Sequence, residues 1–155
     1  MQLNQPATLK MKQPDFQPER SDLDRLLSLI AFATVAGLLG YSIWVYPQLP
    51  DRIPIHFNLR GEPDDYGPKS IFLILPGIAL ALYGLLTMIN RKPQHFNYPV
   101  KITPQNAQKQ YELAVGLVNL LNAVVMLMMG YLAFNMAQVA LGKAEGLGGG
   151  FWLFS

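Results

Sequence analysis

Three long apolar runs limit what this chain can fold into. Residues 26–46 contain no charged side chain, and neither do residues 71–89 and 113–140. About 20 such residues, rising roughly 1.5 Å each in a helix, cross the hydrocarbon layer of a bilayer. Helices of a soluble domain would show a polar stripe, which these runs lack. The sequence therefore predicts an all-α integral membrane protein with three transmembrane helices.

The segments around these runs complete the predicted organisation. Residues 1–20 are rich in Gln, Pro and Lys and have little to bury, so we expect a mobile tail, with a partner-binding tail as the alternative. Residues 21–141 form the predicted membrane domain, and residues 142–155 form a C-terminal tail. Ser21, followed by Asp22 and Asp24, suits the start of the first helix. No A-x-A-like cleavage site follows the first run, so we interpret it as a retained anchor.

Basic residues predict the orientation in the membrane. Four precede the first run and four lie between the second and third runs, whereas three lie between the first and second and one follows the third. Because cytoplasmic loops carry an excess of Lys and Arg, the N-terminus and residues 90–111 are predicted to be cytoplasmic. Residues 47–70, a long Pro- and Gly-rich loop, are then extracytoplasmic.

The predicted cytoplasmic loop has two parts. His95, Phe96 and Tyr98 belong to an extended aromatic stretch whose rings suit the headgroup level of a bilayer. Thr103 can cap a helix and Pro104 suits its first position. One long helix is therefore expected from about Pro104 into the third span.

Small and amide side chains within the runs are candidates for helix packing. Gly37, Gly40 and Gly130 would let helices approach closely, and Asn119 and Asn122 would seek partners across a helix interface. A polar lining for a permeation path is the alternative. However, no run contains an acid, a base or a histidine, which transport usually requires at depth. We therefore assign these five residues to helix packing.

The extracytoplasmic loop holds the candidate binding residues. Every second residue from Ile53 to Leu59 is apolar, as in a half-buried strand that would pair or lie on the membrane. Prolines and glycines on both sides of this stretch predict bends. The candidate residues for binding a ligand or partner are Asp51, Pro54, His56, Phe57, Asn58, Asp64 and Lys69.

Side-chain interactions can be expected within this loop. His56 and Asn58 share one face of the predicted strand, where a carboxylate such as Asp64 can join them. A divalent metal site is the alternative to structural hydrogen bonding, but no fixed ligand spacing supports it, so no metal is assigned. Lys69 is expected to pair with Asp64 across a turn, which at an exposed site is worth under about 1 kcal/mol.

The sequence lacks the motifs of several functional classes. It has no Gly-rich phosphate loop after a strand, no HExxH, no GxSxG and no cysteine. It also has no basic patch interleaved with aromatic residues that would indicate nucleic-acid binding. We expect a protein with no enzymatic activity, no cofactor and no nucleic-acid partner. The expected partners are the lipid bilayer and, as hypotheses, a peptide, another membrane protein or further copies of the chain.

The extracytoplasmic loop also resembles that of a known family. The pattern LP-D-x-IP-x-HFN-xx-G-x-PD-xxxx-K runs from Leu49 to Lys69, with an apolar run on each side. It is similar in order and spacing to the outward loop of the bacterial SdpI-like membrane family, which includes the immunity protein of the sporulation-delaying toxin. Further similar positions, on the way into the third helix, are Asn97, Tyr98, Pro99, Ile102, Asn106, Gln110 and Tyr111.

This resemblance covers residues 26–140 and carries functional expectations. It implies a small integral protein of the bacterial cytoplasmic membrane, with toxin immunity and signalling to a cytoplasmic repressor in one branch. It implies no enzymatic activity and no established cofactor. Larger proteins of this kind have further helices, whereas residues 151–154 look like the start of a fourth span or an interfacial tail.

Two functional hypotheses follow from the sequence. In the first, the outward loop binds a peptide, lipid or protein at the membrane surface and protects the cell. In the second, the chain is an accessory or assembly subunit of a larger membrane complex, and the loop is a folded cap. Neighbouring genes discriminate between them, because a secreted peptide and a small repressor favour the first and genes for a multisubunit complex favour the second.

Overall fold

A computed structural model describes residues 18–147 of the 155-residue chain. This part is mostly helical, and its helices are α1 Asp22–Val45, α2 Ile74–Ile89 and α3 Ala107–Ala140. Three segments of the described chain, each containing one of these helices, are long and apolar enough to cross a membrane. The prediction of three membrane-spanning helices is confirmed to that extent. Short 3-10 turns occupy Tyr46–Gln48, Lys69–Leu73 and Pro93–His95.

Helix α1 begins where the sequence predicts. The Ser21 hydroxyl accepts a hydrogen bond from the Asp24 backbone N–H at 3.1 Å, and the Asp24 carboxylate accepts one from the Ser21 backbone N–H at 3.0 Å. This reciprocal capping box satisfies two backbone donors that the first turn leaves without helical partners. The expected helix start at Ser21 is therefore confirmed.

Pro76 causes no break in α2, for a local reason. It is the third residue of the helix, where a backbone N–H would have no partner within the helix. The proline therefore removes no helical hydrogen bond, and its fixed φ angle suits the first turn.

Helix α3 begins later than expected. Its first residue is Ala107, and the Asn106 side-chain oxygen accepts a hydrogen bond from the Thr103 backbone N–H at 2.8 Å. Asn106 thus closes a turn that leads directly into the helix. The helix thus starts three residues after the expected start near Pro104, although the Ala107 backbone N–H donates to the Thr103 carbonyl at 2.9 Å, and a single long helix continues into the third span as expected.

The three helices pack around small and medium side chains. The buried apolar residues that join them include Ala31, Val35, Leu38, Ala79, Ala123, Met126, Ala133 and Ala137. Large apolar side chains occupy the outer faces, and Ile43 and Met88 are 77% and 71% exposed. Since such surface is unfavourable in water, these faces contact the lipid bilayer.

A β-hairpin fills the connection between α1 and α2. Its strands, β1 Arg52–Phe57 and β2 Pro63–Pro68, pair antiparallel with Arg52 opposite Pro68 and Ile53 opposite Gly67. The class is therefore mostly helical rather than all-α. Strand β2 has poor strand-forming residues, but its two prolines lie at its ends, where a missing N–H costs least.

The hairpin turn differs from the predicted strand. Strand β1 ends at Phe57, and Asn58 and Leu59 belong to the turn instead. Leu59 is 86% exposed, so its apolar side chain does not continue the buried alternation. The alternating sequence pattern extends beyond the strand because the chain turns at Asn58.

Residues 142–147 fold back onto the hairpin. The Leu147 backbone N–H donates to the Gly61 carbonyl at 2.8 Å, the Tyr131 hydroxyl donates to the Leu147 carbonyl at 2.5 Å, and the Leu147 side chain is buried. The first part of the predicted C-terminal tail is thus attached to the membrane domain. The predicted mobile tail up to residue 17 and the apolar residues 151–154 lie outside the described residues.

Candidate functional site

The base of the hairpin is held by Lys69. Its ammonium nitrogen lies 3.4 Å from the Leu49 carbonyl oxygen, 3.5 Å from Asp51 Oδ1 and 5.8 Å from the centre of the Tyr46 ring. The Lys69 backbone N–H also donates to the Asp51 carbonyl at 3.0 Å. The expected pairing of Lys69 with Asp64 is therefore wrong. The antiparallel register puts Lys69 beside the residue that precedes β1, and Asp64 lies near the far end.

The end of the hairpin near the turn carries an exposed polar pair. His56 Nδ1 lies 2.5 Å from Asp64 Oδ1, and the two side chains are 67% and 43% exposed. This contact crosses between the strands where their register is irregular. A carboxylate at Nδ1 fixes the ring orientation and leaves Nε2 facing away from the pair. Within residues 18–147, no third His, Asp or Glu joins them in a group that could hold a metal ion.

Asn58 builds the turn of the hairpin. Its Oδ1 accepts hydrogen bonds from the backbone N–H groups of Arg60 at 2.8 Å and Glu62 at 3.1 Å, while its Nδ2 donates to the Glu62 carboxylate at 3.0 Å. Gly61 completes the turn with φ of +76°, a left-handed conformation that favours glycine. Asn58 therefore organises the backbone and does not join His56 in one cluster.

The structure divides the predicted site into three places. His56 and Asp64 pair near the turn end of the two strands, Asp51 and Lys69 meet at the base of the hairpin, and Asn58 lies in the turn. Pro54 is buried and Phe57 is half-buried. His56, Asp64 and Asp51 are exposed, so these three residues are the part of the predicted site that the structure leaves open to a partner.

A second polar site lies at the opposite end of the helix bundle. Asn119 Nδ2 donates to Asp24 Oδ1 at 3.1 Å, and Asn119 Oδ1 accepts from Asn90 Nδ2 at 2.7 Å and from the Ser28 hydroxyl at 3.3 Å. We call Asp24, Ser28, Asn90 and Asn119 the amide cluster. It joins α1, the end of α2 and α3 through a side chain assigned from the sequence to helix packing.

Sequence reasoning missed most of this cluster. Asp24 was assigned only to the first turn of α1, and Ser28 and Asn90 were assigned no role. Two signals were present: Asp24 and Ser28 are four residues apart and share one helix face, and Asn90 directly follows an apolar run. No acid lies within residues 26–46, but α1 begins before them and buries Asp24.

The glycines assigned to helix packing differ in their surroundings. A Cβ built at Gly130 would lie 3.3 Å from Thr34 Cγ2, so α1 and α3 approach closely there. A Cβ built at Gly37 or Gly40 has no heavy atom of the described chain within 4 Å. These two glycines lie on an outward face of α1, and no packing role within the described chain is found for them. Asn122, by contrast, lies between helices and donates to the Thr87 hydroxyl at 3.3 Å.

The aromatic stretch after α2 packs onto the start of α3. The rings of Phe96 and Tyr98 stack with centroids 6.3 Å apart, and Tyr98 contacts Tyr111 at 5.6 Å. The Tyr98 hydroxyl donates to the Pro93 carbonyl at 2.9 Å. Burial, together with the neighbouring Tyr111, raises the pKa of Tyr98 to about 12, so this phenol stays neutral at physiological pH.

Fold and site together define a small multi-pass membrane protein with a folded hairpin between its first two spans. Residues 33–80, which cover the second half of α1, the hairpin and the start of α2, match a family described as a domain of unknown function, DUF1648. An uncharacterized protein of Archaeoglobus fulgidus is 37% identical over 87 residues.

That alignment covers 51% of this chain and 48% of the archaeal protein, so the chain spans about half the length of this curated relative. No solved structure matches the chain. Neither match carries the SdpI-like name, and the narrower resemblance and the bacterial source therefore stay predictions.

Proposed function

We propose that this chain is a non-enzymatic membrane protein whose hairpin binds a peptide or protein partner at the extracytoplasmic surface, in a protective role like that of toxin immunity proteins. The exposed pair His56 and Asp64 on a firmly held hairpin is the observation that carries this proposal. The distribution of Lys and Arg supports an outward-facing hairpin and a cytoplasmic N-terminus.

The hairpin is attached to the rest of the protein at three levels. Lys69 holds its base, the buried Ile53 and Phe72 belong to the core of the bundle, and Leu147 is hydrogen-bonded to Gly61 in its turn. Such attachment orders the binding surface before a partner arrives. Preorganisation lowers the entropy lost on binding, and this favours specific recognition over a passive connection between helices.

The polar pair supplies directional chemistry on this surface. Asp64 presents carboxylate oxygens that accept hydrogen bonds, and His56 can donate or accept through Nε2 according to its tautomer. Two other polar side chains of the hairpin already have structural partners: Asn58 forms the turn and Lys69 holds the base. The resemblance of the loop to the SdpI-like family supports a peptide as the partner.

The test compares His56→Ala and Asp64→Ala with Arg60→Ala in cells exposed to a secreted peptide encoded beside the gene. Arg60 is an exposed residue in the same turn, and its backbone N–H, rather than its side chain, donates to Asn58. We expect the first two variants to lose protection at wild-type membrane abundance and Arg60→Ala to keep it. Full protection by both pair variants would reduce the hairpin to a cap, and their disappearance from the membrane would make the pair structural.

An accessory role in a larger complex is the second candidate, and one observation favours it. Ala33, Ala36, Gly37 and Gly40 form an exposed strip of small residues on α1, and small residues let another helix approach closely in lipid. Disulfide crosslinking through a Cys placed at Gly37 tests this role, because the chain has no cysteine of its own. A crosslinked band containing a different membrane protein would favour the subunit role.

A further inference from the structure

A small polar cavity lies next to the amide cluster, at the end of the bundle opposite the hairpin. Its volume is about 200 Å³. The residues that line it are Arg20, Ser28, Tyr83, Thr87, Asn90, Asn119 and Asn122. Because α1 and α3 begin and α2 ends at this level, the cavity lies where the spans meet the bilayer interface.

Two side-chain oxygens of the cavity residues have no hydrogen-bond partner within residues 18–147. They are Asn90 Oδ1 and Asn122 Oδ1, and the two residues are only 4% and 6% exposed. The orientation of Asn90 is fixed, because its nitrogen donates to Asn119 Oδ1 at 2.7 Å and to the Val115 carbonyl at 3.3 Å. The Thr87 hydroxyl can bond either end of the Asn122 amide, so Asn90 carries the argument.

The missing partner must be a hydrogen-bond donor. Buried acceptors are rarely left without one, and an amide oxygen is best matched by water or by a cationic N–H group. The nearby Asp24 carboxylate, bonded to Asn119, adds negative potential beside the cavity. An ammonium group can therefore donate hydrogen bonds to both oxygens, and the negative potential attracts its positive charge.

The rim of the cavity carries positive charge. Arg20 is an exposed guanidinium that lines the cavity, and Arg91 and Lys92 directly follow Asn90 in the chain. Acceptors inside and a guanidinium outside complement a zwitterion whose ammonium enters and whose phosphate stays at the rim. Lipid headgroups lie at the level of the bilayer where the cavity is found.

We propose that this cavity binds the headgroup of phosphatidylethanolamine. Its ammonium donates hydrogen bonds to Asn90 Oδ1 and Asn122 Oδ1, and its phosphate pairs with Arg20. A cavity of about 200 Å³ has the volume of several water molecules at about 30 Å³ each, which leaves room for the ethanolamine group. Phosphatidylcholine is a natural control, since its trimethylated nitrogen is larger and has no N–H to donate.

The test titrates the purified full chain, in detergent, with lipids that share identical acyl chains and differ only in the headgroup. Binding is measured by native mass spectrometry and by the shift in unfolding temperature. We expect affinity to fall as the ethanolamine nitrogen carries one, two and three methyl groups. Phosphatidylethanolamine should bind about tenfold more tightly than phosphatidylcholine, as expected for a charge-assisted hydrogen bond. Equal binding across the series would overturn the proposal and leave a water-filled cavity.

A matched pair of variants separates the site from general charge effects. Arg20→Ala removes the guanidinium at the rim, whereas Arg25→Ala removes an equal charge from a side chain that is 71% exposed, pairs with Asp22 and does not line the cavity. Loss of the headgroup preference in Arg20→Ala alone supports the proposal, and equal loss in both variants contradicts it. If soluble phosphoethanolamine stabilises the protein, the cavity recognises the same chemical group, but its ligand is a solute rather than a lipid.

Discussion

Asn119 on α3 donates its side-chain amide to the carboxylate of Asp24 on α1 over 3.1 Å, and both residues are buried. The same carboxylate accepts from the backbone and the hydroxyl of Ser21. A carboxylate in a low-dielectric interior is tolerated only when its oxygens are bonded. This contact therefore fixes the relative position of α1 and α3 at one end of the bundle.

Replacing Asn119 by Leu should destabilise the membrane domain. The side chain makes hydrogen bonds to Asp24, Ser28 and Asn90, and interhelical polar contacts in membranes average about 0.6 kcal/mol each. The expected loss is about 1–2 kcal/mol, measured by unfolding in detergent. Asn135→Leu is the control, because the Asn135 side chain donates to the Tyr131 carbonyl within the same helix. Equal stability of both variants would show that the hydrogen bonds of Asn119 do not contribute to the free energy of unfolding.

Leucine substitutions at two glycines should have different effects. Gly130→Leu should lower the unfolding temperature, because a Cβ there already lies 3.3 Å from Thr34 Cγ2 and overpacking typically costs about 1–3 kcal/mol. Gly37→Leu should leave the isolated chain unchanged, since nothing within 4 Å of its Cβ has to move. If Gly37→Leu unfolded as readily as Gly130→Leu, the outward position of Gly37 would be contradicted.

Gly61→Ala should loosen the hairpin turn. The residue has φ of +76°, where a side chain costs about 1–2 kcal/mol, and the new Cβ would meet Leu147 at 3.4 Å. Trypsin should therefore cleave after the exposed Arg60 faster than in the wild type. Gly84→Ala in α2 is the control, because it has open space and a helical backbone that alanine prefers. An unchanged cleavage rate would show that the turn does not depend on Gly61.

The hairpin and the segment after α2 should be reached from opposite sides of the membrane. A Cys placed at Glu62 should react with an impermeant thiol reagent on intact cells, and one at Lys101 should react only after the cells are opened. Both residues are exposed, and the chain has no cysteine to interfere. The reverse pattern would contradict the orientation derived from the basic residues and remove the basis for an outward-facing binding surface.

Stability should fall at high pH through Tyr98. The pKa of this phenol is raised to about 12 in the folded protein, against 10.0 for an ordinary tyrosine. The unfolded chain therefore ionises first, so the contribution of Tyr98 is complete below pH 10 and is lost as the pH rises toward 12. Unfolding measured between these values should show a smaller pH dependence in Tyr98→Phe. An identical dependence in both proteins would rule out Tyr98 as its source.

The sequence alone determined the spans and the start of α1. Residues 26–46 are apolar and uncharged whatever surrounds them, and Ser21 and Asp24 cap a helix through bonds that reach only three residues along the chain. These properties are local, so the sequence pattern is enough to identify them. The alternation from Ile53 likewise located β1, although it overran the strand at Asn58.

Only the tertiary structure decided which polar groups meet. Lys69 pairs with Asp51 rather than Asp64 because the strand register, which a single strand pattern does not contain, sets the distance between them. Asp24 and Asn119 are 95 residues apart, and they meet because α1 and α3 pack face to face. In lipid, a buried polar side chain must find its partner on another helix, and which residues face one another depends on how the helices rotate and cross.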